Sequence, residues 1–550
     1  MSSIHPAIVT QEQARPLPRL VLLCLCLAWV LPGVLGRDPW RGAELSAYGL
    51  MAAMAEGRTS WWAPMLGGVG VDAALLPHWI GALAIAALSP GVDPVIAARL
   101  PFSLILAATL VLVWQATFRL ACSDAARPLP LAFGGEAEPQ DYARTLADGA
   151  VLAMIGTLGL LQLGHETTPE LVQLMATSVL LWAVASAGWR PIRARTAVLV
   201  SLPLLAASGA PTLSLAFGLV TALICLRSAA PRHRALAPWV ITATLASALM
   251  AFVLGIWAWR WDPPSAADDL LTLARQWAWF MWPAWLLAAW AVWQWRGHVL
   301  RRHLALPMGI SLCALAGNVV AGGSDRILLL AIPGLAILSA FALPTMRRAI
   351  AAAVDWFSIC FFSVCALFIW FMYVAMHTGF PARPAANIAK LAVGFEADFS
   401  WLALVVGAAA AAAWLALVRW RTRRHRPELW KSLILPAGGV ATCWILLMTL
   451  WLPLLDYGRS ARPVVDALRP LVGSAPCMAG TGLSASWTAA FESLGGWRVD
   501  ARDGASQQSA CPILLQISRQ TMAAPAAGWT LVGTVRRPTE QDEIFSVYRR

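Results

Sequence analysis

Residues 432–454 read SLILPAGGVATCWILLMTLWLPL, a run of 23 residues without a charged side chain. A helix needs about 20 predominantly apolar residues to cross the hydrocarbon core of a bilayer. Further apolar runs precede this one, near residues 20–36, 97–118, 146–164, 171–187, 196–208, 211–226, 236–257, 277–295, 304–321, 327–343, 353–376 and 400–418. The sequence therefore predicts an all-α polytopic membrane protein with about 13 spanning helices.

Two of these runs, 196–208 and 211–226, are short and are separated only by Gly209, Ala210 and Pro211. A glycine and a proline in so short a connection favour a tight turn. We therefore expect the two runs to form a helical hairpin.

The composition is that of a chain solvated mainly by lipid, since 59% of its 550 residues are hydrophobic and 13% are charged. The formal net charge of +12 raises the question of nucleic-acid binding. The arginines, however, cluster in short loops between apolar runs, and no basic patch interleaved with aromatic residues lies in a soluble segment. The charge therefore indicates membrane topology, and no nucleic-acid partner is expected.

The apolar stretch from Ala73 to Leu88 decides the topology, because counting it as a span reverses the side of every later loop. Five arginine clusters distinguish the two topologies, since loops rich in Lys and Arg face the cytoplasm. All five clusters face the cytoplasm only if residues 73–90 form an interfacial helix on the outer side. We therefore expect a multi-pass protein of a bacterial inner membrane, with a cytoplasmic N-terminus and a periplasmic C-terminal domain.

With that topology, six segments share the outer side of the membrane: 37–96, 165–170, 258–276, 322–326, 377–399 and 455–550. The chain then divides into a transmembrane domain, residues 1–454, and a soluble domain, residues 455–550. Helix-like and strand-like pieces alternate in the soluble part, which predicts a small α/β domain. That part contains no phosphate loop, catalytic triad or zinc pattern.

The cysteines fall into two groups. Cys477 and Cys511 lie in the polar tail, where an oxidising compartment would favour a disulfide between them. Two free thiols are the alternative. The other eight lie in or beside apolar runs without metal-ligand spacing, so no metal is expected from them.

The first outer segment carries a carboxylate in a defined position. Glu44, Tyr48 and Met51 fall on one face at helical spacing. A carboxylate on a surface helix after the first span suits a site at the bilayer edge, where a lipid-borne substrate meets a polar acceptor. The alternative is a solvated interfacial helix whose charges only avoid lipid.

The segment from Arg37 to Pro101 resembles the opening of membrane-embedded, polyprenyl-phosphate-dependent glycosyltransferases of the GT-C type. These include protein O-mannosyltransferases and lipid A aminoarabinose transferases. Their first span is followed by a loop with an Asp-Glu pair, a helix, a glycine-containing turn and a Glu-Lys-Pro-Pro-Leu element, and an Ala-Arg-Leu-Pro string opens the second span. The matching residues here are Arg37, Asp38, Pro39, Trp40, Glu44, Gly57, Trp61, Pro64, Gly68, Trp79, Ala98, Arg99, Leu100 and Pro101.

Two later patches resemble the same families. The loop 164–170, Gly-His-Glu-Thr-Thr-Pro-Glu, resembles the loop that carries their second acidic residue, with Glu170 in the place of Asp. Asp325 and Arg326, followed by Leu-Leu-Ala-Ile-Pro-Gly up to Gly334, resemble their later arginine-bearing outer loop.

The resemblance implies roles for these residues. Transfer of a sugar from a polyprenyl phosphate requires a base for the acceptor proton and cations for the leaving phosphate. Glu44 is the first candidate base, with Glu170 and His165 in support. The arginines could instead snorkel or form structural ion pairs, and His165 could cap its loop. The candidate ligands of the lipid phosphate are Arg326, Arg260 and Arg275.

Two departures from the family pattern bear on activity. Ala43 stands where the families carry their usual catalytic Asp, and Asp72-Ala73-Ala74-Leu75 replaces Glu-Lys-Pro-Pro. Glu44 is the next residue along, but neighbouring helical positions point roughly 100° apart. A non-catalytic member that binds a lipid-linked glycan therefore stays open as an alternative.

The implied function is that of an inverting glycosyltransferase that moves a sugar from a polyprenyl-phosphate-linked donor to a periplasmic glycolipid, glycan or protein. The sequence indicates no certain cofactor, although carboxylates on outer loops could hold a divalent metal. A transporter or flippase is a third alternative. It is disfavoured because the sequence shows no repeated halves with charged or broken sites at mid-membrane.

Overall fold

The computed structural model describes residues 7–71, 74–257, 261–423, 428–518 and 528–550. The helices before the C-terminal domain are α1 (Arg19–Val30), α2 (Ala43–Ala55), α3 (Leu75–Leu88), α4 (Pro94–Ala121), α5 (Pro139–Gly156), α6 (Leu158–Leu163), α7 (Pro169–Ser186), α8 (Pro191–Ala207), α9 (Pro211–Leu226), α10 (Pro231–Arg234), α11 (Ala237–Val253), α12 (Ala267–Phe280), α13 (Ala284–Gln294), α14 (Arg302–Val320), α15 (Asp325–Leu328), α16 (Ile332–Ala342), α17 (Arg348–Thr378), α18 (Ala382–Leu391), α19 (Trp401–Arg423), α20 (Lys431–Leu447) and α21 (Leu452–Arg459). A helix lies within each of the predicted apolar runs.

The helices differ in how well they suit a membrane. Within the described residues, seven are long and apolar enough to cross it, and an eighth crosses if α20 and α21, bent by 72°, form one broken span. The predicted fold class, a polytopic all-α membrane protein with a small C-terminal α/β domain, is confirmed. The number of about 13 spans stays a prediction.

The predicted hairpin is confirmed, because α8 and α9 lie side by side around a turn at Gly209, whose φ of 90° suits glycine. Helix α3, in the stretch that decides the topology, has 14 residues. It is therefore about 21 Å long, less than the ~30 Å of the hydrocarbon core. Its length suits the predicted interfacial position.

Helix α16 lies at the centre of the transmembrane part. All its residues from Ile332 to Ala342 are buried, and α5, α13 and α14 surround it. A helix buried on all sides is expected to be apolar all round. Gly334 permits the contact with α14, since a Cβ there would collide with Ser311 and the Pro307 carbonyl.

The C-terminal domain is built on one mixed sheet. Its helices are α22 (Arg462–Val472), α23 (Ala485–Ser493) and α24 (Ala505–Gln508), and its strands are β3 (Cys477–Thr481), β4 (Arg498–Asp500), β5 (Ile513–Ser518), β6 (Thr530–Arg537) and β7 (Glu540–Arg549). The strand order is β4-β3-β5-β7-β6, with parallel pairs around β3 and antiparallel pairs around β7. A separate two-stranded hairpin, β1 (Met65–Leu66) and β2 (Val69–Gly70), lies in the first of the segments predicted to be outer, residues 37–96, which we call the first outer loop.

A disulfide joins Cys477 on β3 to Cys511 just before β5, which confirms the predicted pairing. We expect thiol labelling of the denatured, unreduced protein to leave both sulfurs unmodified, and labelling after reduction to modify both. Free labelling of either cysteine without reductant would contradict the pairing. Cys225, which is buried and free, is the internal control, because denaturation should expose it to the reagent in both samples.

The C-terminal domain packs on the first outer loop. Helix α23 contacts α2 so closely at Gly49 that a Cβ there would meet the backbone of Ala489. Arg58 and Arg41 of the loop form ion pairs with Glu492 and Glu543 of the domain. These contacts fix the domain over the loop that carries the candidate base.

Candidate active site

The six segments predicted to lie on the outer side meet on one face of the protein. Arg37 donates a hydrogen bond to the His165 carbonyl, and Asp38 is bound by Arg462. Gln276 donates to the Gly323 carbonyl, joining α12 to the loop before α15. The remaining contacts that join these segments are Arg326–Glu166 and Tyr457–Val393. These contacts confirm that the six predicted segments share a face, as far as their residues are described.

Glu44 lies in the first turn of α2, and its side chain is only 1% exposed. One carboxylate oxygen accepts from Arg37 and from the Trp40 amide, and the other lies 3.4 Å from Arg99. Burial alone would raise the pKa of Glu44, but the charges of the two arginines and these hydrogen bonds lower it below its ordinary value. In this arrangement Glu44 is an enclosed anion, and its carboxylate is not accessible to a sugar acceptor.

The two arginines around Glu44 also organise the loop before α2. Arg37 donates to the Gly33 and His165 carbonyls at 2.8 and 2.9 Å. Arg99, from α4, donates to the Arg37 and Asp38 carbonyls at 2.7 and 2.9 Å. The Arg37–Glu44–Arg99 cluster therefore ties the first outer loop to α4 and to the 165–170 loop.

His165 is enclosed as well. Its Nδ1 and Nε2 atoms lie 2.7 and 2.8 Å from the Leu161 and Trp29 carbonyl oxygens, and its ring contacts Trp29 and Trp444. Burial lowers the pKa of His165 to about 4, despite the two carbonyls. The neutral ring donates its one N–H to one of these carbonyls and is enclosed on both sides, so the side chain holds its loop in place and does not present a base to a substrate.

Arg326, at the start of α15, lies between two carboxylates of the 165–170 loop. Its Nη2 donates to Glu166 at 2.6 Å, and its Nη1 makes only long contacts, 3.4 Å to the Thr168 hydroxyl and 3.5 Å to Glu170. Glu166 is 6% exposed, whereas Arg326 and Glu170 are each 22% exposed. Glu166 therefore orients the guanidinium, and Glu170 is held loosely beside it.

A second carboxylate cluster joins the first outer loop to the C-terminal domain. Asp38 accepts from Ser460 at 2.7 Å and from two nitrogens of Arg462 at 2.6 and 2.8 Å. Burial alone would raise the pKa of Asp38, but these hydrogen bonds lower it. The carboxylate of Asp456 accepts from the Asp38 amide and the Trp40 indole. This cluster ties the loop to the beginning of the domain.

Arg459 is a further cation on this face, and no sequence motif pointed to it. Arg459, at the end of α21, is exposed, and its guanidinium carbon lies 4.8 Å from the centroid of the Trp40 ring. Arg37 lies over the same ring at 4.7 Å. The charges of Arg459 and Glu166 also interact. Arg326 and Arg459 therefore border the same acidic group.

Two solved structures resemble the chain over nearly its full length. ArnT from Cupriavidus metallidurans in the apo state has a TM-score of 0.60 and 13% sequence identity, and the match covers 96% of this chain and 97% of that one. The same protein bound to undecaprenyl phosphate has a TM-score of 0.55, with the same identity and coverage. The chain has a GT-C-type fold. No protein-family model and no curated protein matches the sequence.

The GT-C fold brings most of the predicted site residues together, but not all. Three segments that contact one another carry four of these residues: Glu44, His165, Glu170 and Arg326. Arg275 lies exposed on α12, one residue before the contact of Gln276 with Gly323. Arg260, Asp72 and Ala73 lie outside the described residues.

A divalent metal has no evident site in the described part of the chain. No group of three or more His, Cys, Asp or Glu side chains is arranged there to hold an ion. Arginine contacts each of the carboxylates Asp38, Glu44, Glu166 and Glu170. The site is therefore built on carboxylate–guanidinium pairs.

Proposed function

We propose that this protein transfers a sugar from a polyprenyl-phosphate-linked donor to a glycolipid, glycan or protein acceptor at its outer face. The Arg326–Glu166–Glu170 group carries the proposal, because it places a cation and a loosely held carboxylate side by side. The GT-C-type fold supports it, since the similar ArnT was solved with undecaprenyl phosphate bound. The membrane supplies the lipid-borne donor.

Arg326 binds the lipid phosphate in this proposal. Glu166 anchors Nη2 at 2.6 Å, while the long contacts of Nη1 leave that nitrogen free to exchange partners for phosphate oxygens. Arg459, exposed beside Trp40, adds a second positive charge. Together the two cations stabilise the negative charge that develops on the phosphate as the sugar leaves.

Glu170, rather than Glu44, is the base. Its 22% exposure and 3.5 Å contact leave the carboxylate accessible to an acceptor, whereas Glu44 is enclosed. Glu170 takes the proton of the acceptor hydroxyl or amine as that atom attacks the anomeric carbon. The bond between the sugar and the phosphate breaks, polyprenyl phosphate leaves with the bonding electrons, and the anomeric configuration inverts. Glu44 and His165 position the loops.

A non-catalytic member that binds a lipid-linked glycan is the second candidate. Ala43 and the pairing of Asp38 with Arg462 favour it, because neither position 43 nor position 38 offers an unpaired carboxylate. The decisive experiment supplies purified protein in nanodiscs with a labelled polyprenyl-phosphate sugar and a mixed outer-membrane glycolipid fraction. Label in the acceptor supports transfer. Tight donor binding without transfer to glycolipid, glycan or peptide acceptors would favour the binding protein.

Donor recognition should depend on Arg326. We expect Arg326→Ala to weaken donor-lipid binding by about 2–5 kcal/mol, because it removes the charge partner of a phosphate in a largely desolvated site. Arg498→Ala, at an exposed position of the C-terminal domain, is the matched control. Donor affinity is measured by titration in nanodiscs. Equal affinity in the two variants would show that Arg326 does not bind the phosphate.

The membrane orientation is part of the proposal. Reporter fusions after Arg234, Arg302 and Arg348 should report cytoplasm, because the arginine clusters lie there. Fusions after Gly379 and Tyr457 should report periplasm. The reverse pattern would mean that residues 73–90 span the membrane and that the site faces the cytoplasm.

A further inference from the structure

The face opposite the candidate active site carries a dense basic surface. Helix α7 begins beside Glu170 and is 18 residues long, so its far end lies about 27 Å away. Three loops meet at that far side, residues 187–196, 226–236 and 295–303, and we call them the basic face. They contain no Asp or Glu. Their arginines are Arg190, Arg193, Arg195, Arg227, Arg232, Arg234, Arg296, Arg301 and Arg302.

Hydrogen bonds from arginine side chains to backbone carbonyls join two loops of the basic face and brace one of them. Arg232 donates to the Gly188 carbonyl at 2.8 Å, and Arg234 donates to the Ser228 carbonyl at 3.2 Å. His233 packs against Gly188, where a Cβ would lie 3.3 Å from the imidazole. The two arginine side chains use neutral acceptors, so these contacts leave the positive charge of the surface uncompensated.

Two buried polar groups of the basic face lack partners. His233 is 6% exposed, and among the described residues neither of its ring nitrogens has a hydrogen-bond partner. The same holds for the buried Nε of Arg302, at the start of α14. His233 lies on α10 and Arg302 begins α14, and both helices pack against α9. The charge of Arg302 also acts on His233. Buried donors without partners are costly, and an anion between the two side chains would accept from the Arg302 Nε–H and from the one N–H of the His233 imidazole.

The surroundings indicate which anion would bind. The loops lie at the ends of apolar helices, and large apolar side chains next to them are exposed: Trp189 by 52%, Ile192 by 73%, Leu226 by 51% and Leu300 by 89%. Such side chains suit contact with acyl chains. Basic pockets between membrane helices are known to bind anionic headgroups. We propose that the basic face binds an anionic phospholipid, with its phosphate between Arg302 and His233.

The site can be tested by lipid titration of the full-length protein, followed by native mass spectrometry. Phosphatidylglycerol should bind, and phosphatidylcholine should bind much more weakly. Arg302→Gln should weaken phosphatidylglycerol binding by about tenfold or more, because a charged hydrogen-bond partner is lost. Arg301→Gln makes the same charge change at an exposed neighbour and should have little effect. Equal loss in the two variants, or equal binding of the two lipids, would overturn the proposal.

His233→Phe provides a second test that does not depend on Arg302. Without lipid, phenylalanine removes unpartnered nitrogens from a buried position, so the thermal midpoint in detergent should rise. With phosphatidylglycerol the wild type should gain stability and the variant should gain less. An equal rise of the thermal midpoint with lipid in both proteins would overturn the proposal. If millimolar inorganic phosphate raised the midpoint of the wild type as much as the lipid does, the site would bind a free anion, and the proposal would also be overturned. Neither test requires sugar transfer.

Discussion

Replacing Glu170 by glutamine should reduce sugar transfer by about 10²- to 10⁴-fold, the range that a positioned acid–base group contributes. Glutamine keeps the shape of the side chain but cannot take the acceptor proton. The loss should appear in the rate of transfer, while donor binding stays close to that of the wild type, because Glu166 still holds Arg326 at 2.6 Å. A single-turnover assay with a labelled donor separates the two quantities.

Glu396→Gln is the matched control for this experiment. Glu396 is exposed on another outer segment, and the substitution removes the same charge. A wild-type rate in Glu170→Gln would exclude Glu170 as the base, and the next candidate would be Asp38, a partly exposed carboxylate of this face. A similar loss in both variants would indicate an effect of surface charge on the acceptor.

The architecture was accessible from the sequence because the apolar runs and the arginine clusters report it directly. Each run from 97–118 onward is long and apolar enough to favour lipid, where a segment outside a closed barrel must satisfy its backbone hydrogen bonds as a helix. The disulfide was predictable for a similar reason, since Cys477 and Cys511 are the two cysteines of the polar tail. The helical architecture and the disulfide could be inferred from composition and compartment, without knowledge of tertiary contacts.

The site was less predictable, because the same side chain serves catalysis when exposed and structure when enclosed. Glu44 was chosen for its position on a surface helix, yet its partner Arg99 comes 55 residues later, at the start of another helix. Asp38 and Arg462 meet across 424 residues. Glu166 lies in the same short loop as Glu170, and only the tertiary contact shows that it anchors Arg326. Pairings of this range are set by packing.

Replacing Glu44 should reduce stability rather than the rate of the chemical step. We expect Glu44→Gln to destabilise the protein by about 3–5 kcal/mol, because Arg37 and Arg99 would remain buried without a counter-charge. Glu56→Gln, at the exposed end of the same helix, is the control. Thermal unfolding in detergent measures the difference. Since the pKa of Glu44 lies below its ordinary value of 4.5, this stabilisation is complete at neutral pH and is lost as the pH falls through the lowered pKa.

Substitutions at Ala43 and Glu44, both in the first turn of α2, also test which of the two positions matters for catalysis. Ala43 is partly exposed there, so Ala43→Asp adds a carboxylate at a helix N-terminus, where negative charge is favourable. If Glu44 only holds the loop, Glu44→Gln should lose stability, and the fraction that stays folded should transfer sugar at a near-normal rate. A stable Glu44→Gln protein without transfer would instead make Glu44 the base. Faster transfer by Ala43→Asp would show that the native chain is a weakened catalyst, in which the carboxylate usual in similar glycosyltransferases has been lost.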